Sequence, residues 1–183
     1  MFAKKLKYTS MLYSHHQTLQ DLLVAQNWQE ADLETKRLTF QVNSEDLRSN
    51  SGLSALVSKI KAFSKEELEE IDRLWLEHSN GHFGFSVQWQ IYQDILAEEK
   101  DLGKAVVIEK YPIAGRWSAM SALAIVIGWL SAGADEWSFD RETYYAIDAP
   151  KGHLPTAGKQ ALGHAFHHGY LLSWIFSNLY RGS

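Results

Sequence analysis

"SKEELEEIDRLWLEHSN" runs from Ser64 to Asn80 and reads as a helix throughout. Ser64 stands where a cap belongs, and Glu67 completes a capping box three residues on. Acidic residues crowd the first turn, where the helix dipole favours negative charge. Leu68, Ile71, Leu74 and Trp75 recur at helical spacing and predict one buried stripe. Asn80 and Gly81 supply the stop. The carboxylates of "EELEEID" predict a solvated face, with Asp72 as the exception, because it lies beside the buried stripe. A carboxylate there predicts a structural task, holding a loop amide or an arginine, and Asp32 is read the same way.

The segment that follows, "SNGHFGFSVQ" (Ser79–Gln88), combines loop residues with apolar ones. Connecting segments normally run over the surface, so Phe83, Phe85 and Val87 need a reason. If the piece is extended, alternation puts all three on one side. They then either plug the end of a helical bundle or form an apolar wall. Ser86 is expected to cap the next helix, "SVQWQIYQDILAEEKD", with Ile91 and Ile95 on one face and Tyr92 and Leu96 beside them. Lys100 to Gly103 end it.

Upstream, residues 1–14 read as a loose or partly helical lead. Leu19, Leu22 and Leu23 mark a helix from Gln17, and "QNW" breaks it. Asn27 and Glu30 open a second helix carrying Trp28, Ala31, Asp32, Thr35 and Leu38. Two short helices joined tightly predict antiparallel neighbours. Residues 41–54 read as a connection, and "SALVSKIKAF" as a short helix or turn. Downstream, "AVVIEKYPIAG" fits a strand or a linker. "RWSAMSALAIVIGWLSAG" predicts a buried helix, "WSFDRETYYAID" a short hairpin and "APKGHLPTAG" an irregular loop. A final helix is expected from Lys159 to Tyr180. The sum is an all-α fold, a compact helical bundle with long loops.

Composition narrows the function. The chain has 183 residues, 45% hydrophobic and 22% charged, as expected of one soluble domain with a real core. A formal charge of −4 gives no basic surface for nucleic acid. The absence of cysteine removes disulfides, thiolate metal sites and thiol nucleophiles. "SALAIVIGWLSAG" is too short to span a bilayer, which leaves peripheral association as the open membrane role. Seven Trp, eight Tyr and eight Phe supply flat apolar area for a core or for a flat ligand. No Ser-His-Asp signature, phosphate loop or dinucleotide fingerprint is present, and the chain is read as no enzyme. His164, His167 and His168 in "HAFHH" could share a helical face. An amphipathic helix explains them without a metal, and no metal site is assigned.

Three segments together carry a resemblance. "LLVAQNWQEADLETKRL", "LEEIDRLWLEHSNGHFGFSVQWQIY" and "APKGHLP" resemble, in order and spacing, blocks of the genomes uncoupled 4 family, the porphyrin-binding activators of magnesium chelatase. The resemblance spans roughly Tyr13 to Pro155. It implies a tetrapyrrole-binding helical domain over 15–157, with a C-terminal helix over 158–183. It also implies a cupped apolar ligand pocket for protoporphyrin IX or Mg-protoporphyrin IX. The partner it implies is the large porphyrin-binding subunit of magnesium chelatase, on the path to chlorophyll and photosynthesis. The location it implies is a cyanobacterial-type cytoplasm or the plastid stroma. By resemblance, Phe83, Phe85 and Val87 face the macrocycle, and Gly84 lets the ring come close. Trp129 of "IGW" is a contact, and His82 stands at the rim. Lys151 and His153 on the closing loop are the nearest cation and polar group. A shielded bond from Lys151 to a propionate would contribute roughly 1.5–3 kcal/mol. The C-terminal "GKQALGHAFHHGYLLSWIFSNLY" is longer and greasier than the family pattern. It could cover the palm, pack on the back or dock on a partner. The rival readings are a bilin or haem carrier and a helical protein-interaction module.

Overall fold

The computed structural model describes residues 16–40, 64–112, 118–133, 143–158 and 169–180, and every regular element among them is helical. Helix α1 covers residues 16–24. It stops in a left-handed turn at Gln26 (φ 54°), where the N–H groups of Gln26 and Asn27 close on the carbonyls of Leu23 and Leu22. This arrangement satisfies carbonyls that a helix end would otherwise leave open. Helix α2 (Trp28–Phe40) follows at once. The "QNW" break is thus a true helix stop.

Helix α3 (Lys65–His78) follows its sequence closely. Ser64 accepts from the Glu67 N–H, and the Glu67 carboxylate accepts from the Ser64 N–H. Leu68, Ile71, Leu74 and Trp75 are buried. Asn80 and Gly81 take positive φ, and the Gly81 N–H reaches back to the Leu76 carbonyl at 2.8 Å.

Helix α4 (Phe85–Leu102) starts earlier than expected, and Ser86 does not cap it. Gly84 stands at the cap position and has no side chain to offer. The cap comes from α3 instead, where Asp72 Oδ1 accepts from the Ser86 N–H at 2.9 Å. Residues 83–87 are therefore no extended, alternating stretch.

Helix α5 (Lys104–Lys110) replaces the strand or linker. Its β-branched run buries only Val107 and leaves Val106 and Ile108 exposed, so packing overrides propensity. Helix α6 (Ala119–Val126), capped by Ser118, is shorter than the greasy stretch suggested. Gly128 turns the chain at φ +77° just beyond it. Residues 143–158 run irregularly into a 3-10 turn at Thr156–Gly158, and helix α7 (Gly169–Tyr180) closes the chain. The lead, the 41–54 connection, "SALVSKIKAF", residues 137–142 of the expected hairpin, and His164, His167 and His168 lie outside the described residues, while residues 143–148 of that hairpin form an irregular stretch with a bend and a turn and no strand.

At the centre, Trp28 and Trp75 stack at 6.1 Å, and Phe83 sets its ring edge-on to both. The Trp75 indole donates to Thr35 Oγ1 at 2.9 Å. The other buried fixture is Asp32, which accepts from Thr156 and pairs with Lys36. Tyr145 lies beside it, its hydroxyl 3.5 Å from Asp32 Oδ2. Burial, then the Asp32 charge, pushes the Tyr145 phenol from 10.0 up to about 12. The folded chain therefore holds this proton more tightly than the unfolded one. The contribution is fully present below the unfolded pKa and is lost as pH climbs through the folded value. The urea midpoint should fall between about pH 9 and about pH 11, and Tyr145→Phe, which cannot ionise, should fall less over the same step. An equal fall in both would contradict this.

Candidate functional site

The sequence-predicted residues converge on one junction, where the α3–α4 turn meets the closing loop. Phe83 and Phe85 are both 0% exposed, and Val87 is also buried. Gly84, expected to admit a ring, instead admits the carboxylate of Asp72. A Cβ there would lie 2.8 Å from Asp72 Oδ1. Burial raises the Asp72 carboxyl above its ordinary range, against the bonds it accepts from the N–H groups of Ser86 and Phe85. Asp72 thus holds a backbone amide, as its place beside the buried stripe predicts.

Trp129 and His153 pin the loop. The Trp129 indole donates to the His153 carbonyl at 2.7 Å, and the His153 ring bridges the Ile127 carbonyl and the Tyr144 N–H. A backbone N–H can only donate, so Nε2 of His153 accepts and Nδ1 carries the proton toward Ile127. Gln88 donates to the carbonyls of Gly152 and Pro155, and the His82 ring bonds the Ala149 carbonyl at 2.7 Å. Lys151 is exposed on the same loop. Phe83, Phe85, Trp129 and His153 thus present almost no surface to a guest in this conformation. They fix the frame around α4.

Open space lies on another face of α4. A cleft of about 320 Å³ is lined by Trp89 and Tyr92 of α4, Met120 of α6, and Ser173, Phe176, Ser177 and Tyr180 of α7. Its walls are aromatic. Tyr180 stacks on Trp89 at 4.9 Å with 9° between the rings, and Phe176 meets Trp89 edge-on at 5.0 Å. Burial, then the Asp72 charge, raises the Tyr180 phenol well above its ordinary range, and a hydrogen bond with the Ser86 side chain opposes the shift. No lysine or arginine lines the cleft among the described residues. The sequence reading missed this face. Its signal was present in Trp89 and Tyr92 at i, i+3, and in Phe176 and Tyr180 at i, i+4.

Proteins described as GUN4-like share a family pattern that matches residues 9–169. The chain belongs to that family. A chloroplastic tetrapyrrole-binding protein of Arabidopsis thaliana is 34% identical over 139 residues, covering 75% of this chain and 46% of the relative. An uncharacterized protein ycf53 of Porphyra purpurea is 33% identical over 157 residues, covering 84% and 56%. The chain spans about half the length of these curated relatives. The ligand-free structure of Arabidopsis thaliana GUN4 superposes with a TM-score of 0.51 at 27% identity, over 88% of this chain and 94% of that one. The all-α architecture of this GUN4-like chain is thus shared with a solved member. Helix α7 begins at the last residue the family pattern matches.

Proposed function

We propose that this GUN4-like chain is a non-enzymatic tetrapyrrole-binding regulator. Protoporphyrin IX or Mg-protoporphyrin IX is the ligand, and the large subunit of magnesium chelatase is the partner it stimulates. A plastid stroma or a cyanobacterial-type cytoplasm is its setting. The observation that carries the reading is the aromatic cleft beside Trp89, in a chain whose Arabidopsis relative is called a tetrapyrrole-binding protein. A porphyrin is a flat apolar disc with carboxylate tails at one edge. The Trp89 and Tyr92 rings of α4 offer it faces, and Met120 of α6 offers a soft, adaptable contact. No lysine or arginine among the described residues lines the cleft, and the proposed binding mode sets the carboxylate edge toward solvent. Phe83, Phe85, Trp129 and His153 act from behind, by fixing α4 and the closing loop.

The test is a Soret-band titration with protoporphyrin IX, Mg-protoporphyrin IX and a bilin. Saturable macrocycle binding is expected, and Trp89→Ala should weaken it by about tenfold in a Tyr180→Ala background, where the ring stacked on Trp89 is already gone. Unchanged affinity in that folded double variant removes the cleft from the reading. A response to the bilin alone moves the ligand to the open-chain class, and silence from all three leaves a protein-interaction module. The chelatase half is read separately, as the rate of magnesium insertion with and without this chain.

A further inference from the structure

Helix α7 stands apart from the rest of the chain in three ways. It begins where the family pattern ends, and it carries no charged residue between Gly169 and Tyr180. It also lays Tyr180 flat on the indole of Trp89. Leu172, Ile175, Phe176 and Leu179 bury its inner side, while the side bearing Ser173 and Ser177 borders the cleft. We propose that α7 is a cover supplied by the chain itself, with Tyr180 holding on Trp89 the place a planar guest would take. The inference rests on the tetrapyrrole reading above and names how that site is regulated. A macrocycle gains the Trp89 face only when α7 lifts, so the apparent affinity is the intrinsic one reduced by the fraction of open chains.

Lifting α7 exposes Leu172, Ile175, Phe176 and Leu179, so the open form is a minor population that the guest must draw on. At about 320 Å³ the cleft is near the lower end for ligand sites, so a whole macrocycle needs the space α7 now fills. With no charged residue, α7 makes no ion pair. Its polar latch is the Tyr180 hydroxyl, which shares a hydrogen bond with Ser86 close to Asp72. One aromatic residue therefore combines the stacking contact and the latch.

The test uses the full chain carrying Tyr180→Ala or Tyr180→Phe. Removing the ring should tighten protoporphyrin IX binding by about threefold to tenfold, since a stacked pair no longer holds the cover shut. Tyr180→Phe keeps the stack and loses only the hydroxyl latch, so it should tighten binding less than Tyr180→Ala does. Hydrogen exchange supplies the second readout. Pigment at saturation should speed exchange of α7 amides in the wild type and leave α3 unchanged. Unchanged or weaker binding by Tyr180→Ala, or α7 amides that become more protected with pigment, would show α7 to be a wall of the site, and the cover is overturned. If no pigment binds, the tetrapyrrole reading fails by itself and exchange in the free chain decides the cover. Amides of α7 that exchange ahead of α3 support it, and amides that exchange only together with α3 overturn it.

Discussion

Replacing Asp32 with alanine should cost about 3–5 kcal/mol of unfolding free energy, as for a broken buried ion pair. The carboxylate is 0% exposed and fully engaged. Oδ1 accepts from the Thr156 N–H at 2.6 Å, and Oδ2 accepts from Thr156 Oγ1 at 2.5 Å and from Lys36 Nζ at 2.8 Å. Alanine would strand an ammonium that is itself 4% exposed, and it would leave a buried backbone N–H and a hydroxyl without acceptors. Each orphan carries its own desolvation cost. Because Thr156 opens the 3-10 turn, the change also frees the closing loop from α2. The double variant Asp32→Asn, Lys36→Met should be milder than Asp32→Ala, because it leaves no buried charge unpaired. Urea unfolding followed by tryptophan fluorescence gives both numbers. A loss below about 1 kcal/mol for Asp32→Ala would mean that Lys36 escapes to water and that the pair fastens nothing.

Features with local causes were the legible ones in this sequence. The cap, stripe and stop of α3 all lie within or beside the helix, and the capping box forms as read. Asp32 and Asp72 were legible as structural carboxylates, because an acid on a buried face must be satisfied by something. Their partners were not, since Thr156 and the Ser86 amide are brought to them by folding. The start of α4 was misplaced for the same reason: its cap sits on another helix. "AVVIEK" was ambiguous because β-branched runs suit strands, while a helix that buries Val107 alone depends on its neighbours. At the candidate site, "GHFGFSV" and "GHLP" were correctly brought to one junction. Their aromatic rings, however, turn into the core, and the open aromatic face lies on Trp89 and Tyr92. Sequence spacing cannot tell which of two apolar faces a later helix will cover.

The second large effect is expected at Gly84. Its backbone sits at φ +140°, ψ 161°, a region that side chains with a Cβ essentially never occupy. Alanine would add that strain and would also set its Cβ 2.8 Å from Asp72 Oδ1 and 3.4 Å from Leu76. Leu76 can rotate. The carboxylate cannot withdraw without releasing the Ser86 N–H, and with it the cap of α4. The backbone resists as well, because the Gly84 N–H is held by the Leu154 carbonyl at 3.1 Å. Strain of about 1–3 kcal/mol and a lost charge-assisted bond of about 1.5–3 kcal/mol together predict a loss of about 2.5–6 kcal/mol for Gly84→Ala. A double-mutant cycle separates the two causes. In an Asp72→Ala background the clash and the cap are already gone, so Gly84→Ala should cost about 1–3 kcal/mol, the strain alone. Equal costs in both backgrounds would show that the carboxylate plays no part and that backbone conformation is the whole requirement. The coupled outcome would tie this glycine to the cleft, because the cap it permits positions the first turn of α4. That turn carries Ser86, which holds the Tyr180 hydroxyl, and it leads directly to Trp89.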